Sequence, residues 1–89
     1  MAGYKSKAQI IGDMLTCADD GASVSDMIQQ SSTSHNRISS ILRVLLSQGL
    51  MEHRASPDGR RYHTSSKGRN FLQVYREFQR FSEDFGMNI

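Results

Sequence analysis

The segment from Ser34 to Gly49 combines an apolar helical pattern with a polar face that could contact DNA. Its apolar residues recur at spacings of three and four: Ile38, Ile41, Leu42, Leu45 and Leu46. The other face carries small polar groups and hydrogen-bond donors: His35, Asn36, Ser39, Ser40 and Arg43. A helix that faces only water normally mixes Glu or Asp into such a surface. This acid-free face therefore predicts a recognition helix for DNA.

The positive charge of the chain is concentrated around and after this helix. Residues 1–33 hold two lysines against four aspartates, whereas residues 34–64 hold five arginines against two acids. The net charge of the whole chain is only +2, so the distribution is more informative than the total. The guanidinium group of arginine can donate two hydrogen bonds at once to a phosphate or a guanine, which the lysine ammonium cannot do in the same geometry. The arginines thus indicate contact with nucleic acid rather than an ordinary solvated face.

The candidate DNA contacts divide by chemistry. We expect phosphate contacts from Ser34 at the helix start and from Arg54, Arg60 and Arg61. We expect base edges to be read by His35, Asn36, Ser39 and Ser40, with Arg37 and Arg43 as further candidates. Asn suits adenine and Arg suits guanine, while serines read either strand loosely. Modest sequence specificity follows.

Two shorter helices are predicted before the recognition helix. Ser6 with Gln9 forms a capping-box pattern, and Ser23 with Asp26 predicts a second cap of the same kind. The second helix should end near Gln30 and lead through a short polar turn into the N-cap Ser34, which is a helix-turn-helix arrangement. The glycine usual in that turn is absent.

After Gly49, two extended stretches flank the turn sequence Ser56-Pro57-Asp58-Gly59. The pattern predicts a hairpin with a three-residue loop, a type I turn followed by a bulge. Its arginines make it a wing that rests on the DNA backbone. This register would make His53 and His63 cross-strand neighbours, whose protonation as the pH falls toward about 6 would tighten DNA binding. Two imidazoles without a third ligand do not make a zinc site, so no metal is expected.

The last predicted helix starts at a cap on Ser65 or Ser66 and runs through Phe85, with Gly86 just past its end. Five apolar residues follow a heptad spacing of 3, 4, 3 and 4: Phe71, Val74, Phe78, Phe81 and Phe85. Leu72 and Tyr75 lie to one side and should close the core of the domain. Because so small a domain cannot cover a helix of about 28 Å, we expect a two-fold homodimer through these residues. The alternative is that the helix folds back onto its own domain.

Length and composition limit the number of domains, the role of the cysteine and the location of the protein. A chain of 89 residues can form one small domain, and the single cysteine, Cys17, is expected to pack in the core rather than act in redox or metal chemistry. No apolar run approaches the roughly 20 residues of a membrane span, and the N-terminus lacks the apolar centre of a secretion signal. We therefore expect a cytoplasmic, nucleoid-associated protein. The sequence has neither a Gly-x-Ser-x-Gly elbow nor a phosphate-binding loop, so we expect no enzymatic activity, cofactor or small-molecule substrate.

The order of these elements is that of a winged helix, and the sequence resembles the archaeal ten-kilodalton DNA-binding proteins. Three stretches carry the resemblance: SKAQIIGDML, ILRVLLSQGLM and DGRRYHTSSKGRNFLQVYREF. The resemblance covers most of the chain. It implies a dimer joined by a C-terminal antiparallel coiled coil, with the third helix and the wing as DNA contacts. The C-terminal helix is shorter than the family often has, and the surface is not lysine-rich, which leaves room for sequence-selective regulation.

The predicted fold is mainly α with a small β-hairpin (α+β), a winged helix-turn-helix followed by a long C-terminal dimerisation helix. Residues 1–66 would form the DNA-binding part, and residues 67–89 the dimerisation helix of the same single domain. The predicted function is that of a dimeric transcriptional regulator or chromatin protein on double-stranded DNA. The alternative is a protein-interaction module, in which Ile41 or Met51 docks on another polypeptide together with the wing.

Overall fold

The structure, a computed structural model, contains four helices and a two-stranded antiparallel hairpin, and it describes residues 5–57, 59–84 and 86. The side chain of Arg60 also lies outside the described part. The elements are α1 (Lys7–Cys17), a 3-10 turn (Ala18–Asp20), α2 (Val24–Ser31), α3 (His35–Ser47), β1 (Met51–Ser56), β2 (Gly59–Thr64) and α4 (Ser66–Asp84). This is the mainly helical winged fold that the sequence predicts. The described part contains no helix that is both long and apolar enough to cross a membrane.

Both predicted capping boxes are present and set the starts of the first two helices. The Gln9 N–H donates to Ser6 Oγ at 3.1 Å, and the Ser6 N–H donates to Gln9 Oε1 at 2.8 Å. Ser23 and Asp26 make the same reciprocal pair at the start of α2. These bonds satisfy amide groups that have no partner within the helix. Local sequence therefore fixes where α1 and α2 begin.

The turn between α2 and α3 uses a serine where a glycine is usual. Ser32 adopts the left-handed conformation with φ of 52°, and its N–H donates to the Ile28 carbonyl at 2.9 Å. Two residues later Ser34 caps α3 by accepting the Arg37 N–H at 3.3 Å. The helix-turn-helix thus forms without the glycine.

Helix α3 passes directly into the hairpin through a glycine turn. Gly49 has φ of 73°, and the Leu50 N–H donates to the Leu45 carbonyl at 2.9 Å, which closes a Schellman motif. Because only one residue separates this glycine from β1, the hairpin starts at the end of α3. The hairpin is therefore held next to α3.

The hairpin register differs by one residue from the predicted one. Ser56 pairs with Gly59, so the loop is two residues long and Gly59 joins the ladder instead of serving as a third loop residue. His53 consequently pairs with Tyr62, and His63 pairs with Glu52. Since side chains alternate between the faces of a strand, this shift places His53 and His63 on opposite faces. The prediction of a cross-strand histidine pair is wrong, and the pH effect that rested on it loses its basis.

A third, very short extended segment supports the hairpin. Ala22 and Tyr62 exchange two backbone hydrogen bonds, of 2.9 and 2.8 Å, on the free side of β2. The Thr64 hydroxyl donates to the Leu15 carbonyl at 2.7 Å in the interior. These contacts join the wing to the helical body at the N-terminal end of α2.

The core lies between α1, α2, α3 and the base of the hairpin, and the first half of α4 covers it. The residues that are almost fully buried include Ile10, Met14, Leu15, Met27, Ile38, Leu45 and Met51. Leu72 from α4 is also buried and Tyr75 packs partly against the same cluster, as predicted. Cys17 is half-buried against this core, and burial, followed by the charge of Asp26, raises the pKa of its thiol. The packing role expected for Cys17 is confirmed.

Candidate nucleic-acid interface

The polar face of α3 is open to solvent, as the recognition-helix prediction requires. Its buried side consists of Ile38, Ile41, Leu42 and Leu45. The opposite side presents an exposed stripe at spacings of four, three and four, formed by Asn36, Ser40, Arg43 and Ser47. Residues at these spacings lie along one line of a helix. Four groups able to hydrogen-bond are therefore aligned along about three turns of α3.

The remaining candidates on α3 flank this stripe. His35 is exposed at the first helical position, and its Nδ1 lies 3.5 Å from the Ser39 hydroxyl. Ser39 and Arg37 are half-buried on the two sides of the stripe. Ser34 is exposed, and its side chain is engaged in capping. The structure thus brings all seven candidates of residues 34–43 to the solvent-accessible part of one helix.

No carboxylate neutralises the arginines of α3 within the described residues. The ion pairs found there join Lys5 to Asp13, Arg54 to Glu52 and Arg69 to Asp19. Arg37 and Arg43 belong to none of these pairs. Their charges are consequently available to an anionic partner.

The wing places two arginines opposite each other. Arg54 and Arg61 form a direct cross-strand pair, so their side chains lie on the same face of the hairpin. One Arg54 nitrogen, Nη2, donates to Glu52 Oε1 at 3.3 Å, and both of these side chains are largely exposed. Like charges facing each other across a hairpin destabilise it modestly. Glu52 offsets part of this repulsion, but the two arginines together exceed its single negative charge. The pair is therefore compatible with contact to phosphate.

Arg61 differs from Arg54 in being turned partly toward the body. It is half-buried, and its charge adds to the lowering of the Asp26 pKa, which is caused mainly by the hydrogen bonds between Asp26 and Ser23. Arg60 lies on β2 opposite Ala55, and its side chain is outside the described residues. Arg54 is thus the most exposed of the wing arginines whose side chains the structure describes.

The apolar side of α4 is exposed in the single chain. Phe71 is 41% exposed, Val74 57%, Phe78 46% and Phe81 52%. Phe85, the fifth member of the predicted seam, lies outside the described residues. Leu72, by contrast, is 7% exposed on the neighbouring side of the same helix. The helix therefore does not fold its phenyl-rich side onto its own domain within the described part of the chain.

The residues proposed as anchors for a protein partner are not available. Ile41 is 4% exposed and Met51 is 2% exposed, because both belong to the core cluster. The alternative prediction, that Ile41 or Met51 docks on another polypeptide, is therefore wrong. The described residues also contain no group of three or more His, Cys, Asp or Glu side chains that could hold a metal ion.

Sequence reasoning missed three residues next to the candidate contacts. Ser47 continues the exposed stripe of α3, a position that the spacing of Asn36, Ser40 and Arg43 could have indicated. Val44 is exposed on α3, and Lys7 at the start of α1 lies beside it. The approach of Lys7 to α3 is tertiary and left no signal in the sequence.

Comparison with known families decides the classification. A family model described as winged helix-turn-helix matches residues 5–83. The chain belongs to the winged helix-turn-helix family. The match includes α1, the helix-turn-helix, the wing and nearly all of α4. The winged helix-turn-helix predicted from the sequence is confirmed.

Several solved structures share this winged helix-turn-helix fold. The DNA-binding protein Sso10a-2 from Sulfolobus solfataricus superposes with a TM-score of 0.83 at 17% identity, covering 91% of this chain and 85% of that one. The transcriptional regulator BldR from the same organism gives 0.76 at 15% identity, covering 88% and 60%. The reduced transcriptional regulator YodB from B. subtilis gives 0.75 at 19% identity, covering 91% and 81%. No curated protein sequence matches significantly.

Proposed function

We propose that this winged helix-turn-helix protein is a dimeric DNA-binding protein, a transcriptional regulator or chromatin-associated protein. The observation that carries the proposal is the exposed, acid-free face of α3, which the Schellman turn at Gly49 holds next to a hairpin with opposed arginines. A partner that is anionic and has a groove can contact the polar face of α3 and the hairpin arginines at the same time. Duplex DNA is such a partner.

In this proposal α3 enters the major groove and the wing lies on the backbone or in the minor groove. Base edges are read from the stripe on α3 and its flanks: His35, Asn36, Arg37, Ser39, Ser40 and Arg43. Phosphates are held at the start of α3 and on the wing by Ser34, Arg54, Arg60 and Arg61. This division follows the chemistry of the groups, because forked or amide side chains read base edges and cations beside the groove bind phosphate.

The names of three proteins with the same fold also support a role in DNA binding or transcriptional regulation. Sso10a-2 is named a DNA-binding protein, and BldR and YodB are named transcriptional regulators. Their identity to this chain is at most 19%, so what they contribute is a fold that these proteins use for regulation or DNA binding. The assignment to this chain rests on its own arginines and polar helix face. DNA binding would also place the protein at the nucleoid.

The dimer is proposed to form through the exposed apolar side of α4. Burying a phenyl ring contributes roughly 1.5 to 3 kcal/mol, so several rings per chain offset much of the entropic cost of association. A two-fold dimer presents two copies of α3, and it should prefer inverted half-sites separated by one helical turn or a multiple of it. The final helix from residue 67 is thus proposed to join two winged domains.

Electrophoretic titration of the protein with a random-sequence duplex at two salt concentrations tests the function. We expect binding that weakens steeply with salt, because phosphate contacts release counterions. A protein-interaction module would bind neither at low nor at high salt in the micromolar range. Absence of binding at both salt concentrations would overturn the proposal of DNA binding.

A pair of arginine variants tests the division of labour. Arg43→Ala should relax sequence preference, with a loss of roughly 1 to 3 kcal/mol on the preferred duplex and little loss on others. Arg54→Ala should instead weaken binding to every duplex and reduce the salt slope by about one unit. Both are read from titrations on preferred and random duplexes. Equal losses on every DNA from both variants would contradict the assigned roles.

A further inference from the structure

A small depression at the edge of α3 brings together an exposed valine and two cations. It is lined by Lys7, Arg37, Ser40, Ile41 and Val44. Val44 is 44% exposed, whereas Ile41 beneath it is buried in the core. Within the described part of the chain, Val44 is also the one exposed large apolar side chain that lies outside α4. An apolar surface is thus present within an otherwise polar face.

Helix geometry places Val44 next to the exposed stripe of α3. It follows Ser40 by four residues and precedes Ser47 by three, and residues at these spacings are neighbours on a helix surface. A ligand that touches Ser40 is therefore within reach of the methyl groups of Val44. The same depression is also lined by positively charged residues from two separate helices, Lys7 of α1 and Arg37 of α3.

The charges of Lys7 and Arg37 have no competing partner in the described part of the chain. Neither side chain takes part in the hydrogen bonds or ion pairs found there. Lys7 is exposed at the first position of α1, and Arg37 is half-buried on α3. A ligand that carries a methyl group close to a phosphate would complement this depression, because Val44 can contact the methyl group while the cations bind the phosphate.

We propose that Val44 contacts the 5-methyl group of a thymine in the major groove, and that Lys7 binds a phosphate beside it. This inference rests on the proposed DNA-binding function and adds a base preference and a contact from α1. Thymine is the base whose edge places a methyl group in the major groove. Val44 therefore supplies specificity to a helix whose serines discriminate poorly.

Uracil substitution in the DNA isolates this contact. The probe is the duplex that the wild-type protein enriches from a random pool, synthesised once with thymine and once with uracil at the same positions. The two duplexes differ only by methyl groups. We expect the wild-type protein to bind the thymine duplex about fourfold more tightly for each contacted methyl, the value of burying one such group.

The variant Val44→Ala should bind both duplexes with nearly equal affinity. Its fold should be kept, because Val44 is exposed and alanine has the higher helix propensity. The matched control is Lys7→Gln, which should weaken binding to both duplexes and lower the salt slope by about one unit while keeping the preference for thymine.

The outcomes separate the inference from the function on which it depends. Absence of binding to any duplex overturns the DNA-binding function itself. Enrichment of a duplex that binds equally well with uracil overturns the inference and leaves the function standing. A thymine preference that persists in Val44→Ala likewise overturns it, because another residue would then contact the methyl group. Loss of the preference in Val44→Ala alone supports it.

Discussion

At the scale of single residues, the backbone conformation of Ser32 forms the turn that leads into α3. It is the one non-glycine residue with a positive φ in the described part of the chain. This conformation brings Cβ close to the following carbonyl and costs residues other than glycine roughly 1 kcal/mol. The sequence therefore retains a locally unfavourable residue between α2 and α3.

Replacing Ser32 with glycine should stabilise the protein. We expect Ser32→Gly to raise the free energy of unfolding by about 0.5 to 1 kcal/mol, measured by urea denaturation, because the strain at positive φ disappears. The control Ser40→Gly, in the middle of α3, should lower it by about 0.5 kcal/mol through loss of helix propensity. A destabilised Ser32→Gly protein would show that the serine contributes something other than strain.

At the scale of elements, the start of α4 is docked on the connection between α3 and β1. Ser65 Oγ accepts the Gly68 N–H at 3.0 Å and donates to the Gly49 carbonyl at 2.6 Å, while Lys67 Nζ donates to the Gln48 carbonyl at 2.7 Å. A Cβ on Gly68 would collide with the Leu50 carbonyl oxygen. The glycine is thus what lets α4 approach the base of the wing.

Gly68→Ala should consequently destabilise the fold by about 3 kcal/mol. The obstacle is backbone rather than a mobile side chain, so relief requires moving α4 or the wing. Urea denaturation measures the loss, and Asn70→Ala on the exposed side of the same helix should change stability by less than about 0.5 kcal/mol. Equal stability of Gly68→Ala and the wild type would contradict this close approach.

The capping box of α2 makes part of the stability depend on pH. Hydrogen bonds with Ser23, and then the charge of Arg61, lower the pKa of Asp26. Because the folded pKa is lower than the unfolded value of about 3.9, this stabilisation is complete above that value and is lost as the pH falls through the folded pKa.

Asp26→Asn should therefore lower the melting temperature at neutral pH, and the difference from wild type should disappear under strongly acidic conditions. Thermal melts across pH measure this. Ser23→Ala removes the main cause of the lowered pKa, so it should also reduce the pH dependence. A constant difference between Asp26→Asn and the wild type down to acidic pH would rule out the ionised cap.

At the scale of the whole molecule, the proposed dimer depends on the exposed apolar side of α4. Phe78 is 46% exposed and lies outside the core, so Phe78→Ser should convert a dimer into a folded monomer. Sedimentation over a range of micromolar concentrations measures the mass. Leu72→Ala is the contrasting variant, because Leu72 is buried and its loss should cost about 2 to 5 kcal/mol of stability. A monomeric wild-type protein would contradict the proposed interface.

The sequence alone determined the features that depend on short-range chemistry. Both capping boxes, the core-facing side of α3 and the placement of Leu72 followed from residues at most four positions apart. The exposed polar face followed from the same periodicity, because a helix that buries Ile38, Leu42 and Leu45 must turn Asn36 and Arg43 outward. Periodicity also indicated that the apolar side of α4 exceeds what its own domain can cover.

Tertiary structure decided the features that depend on residues far apart in the chain. The pairing of Ala22 with Tyr62 spans 40 positions and fixes the wing on the body, and no local pattern encodes it. The hairpin register depended on whether Gly59 joined the ladder, a difference of one residue that moved His53 and His63 to opposite faces. Lys7 and Val44 line the same depression only because the fold brings the start of α1 near α3. Local periodicity fixes which face of an element is buried, but only packing fixes which distant residues become neighbours.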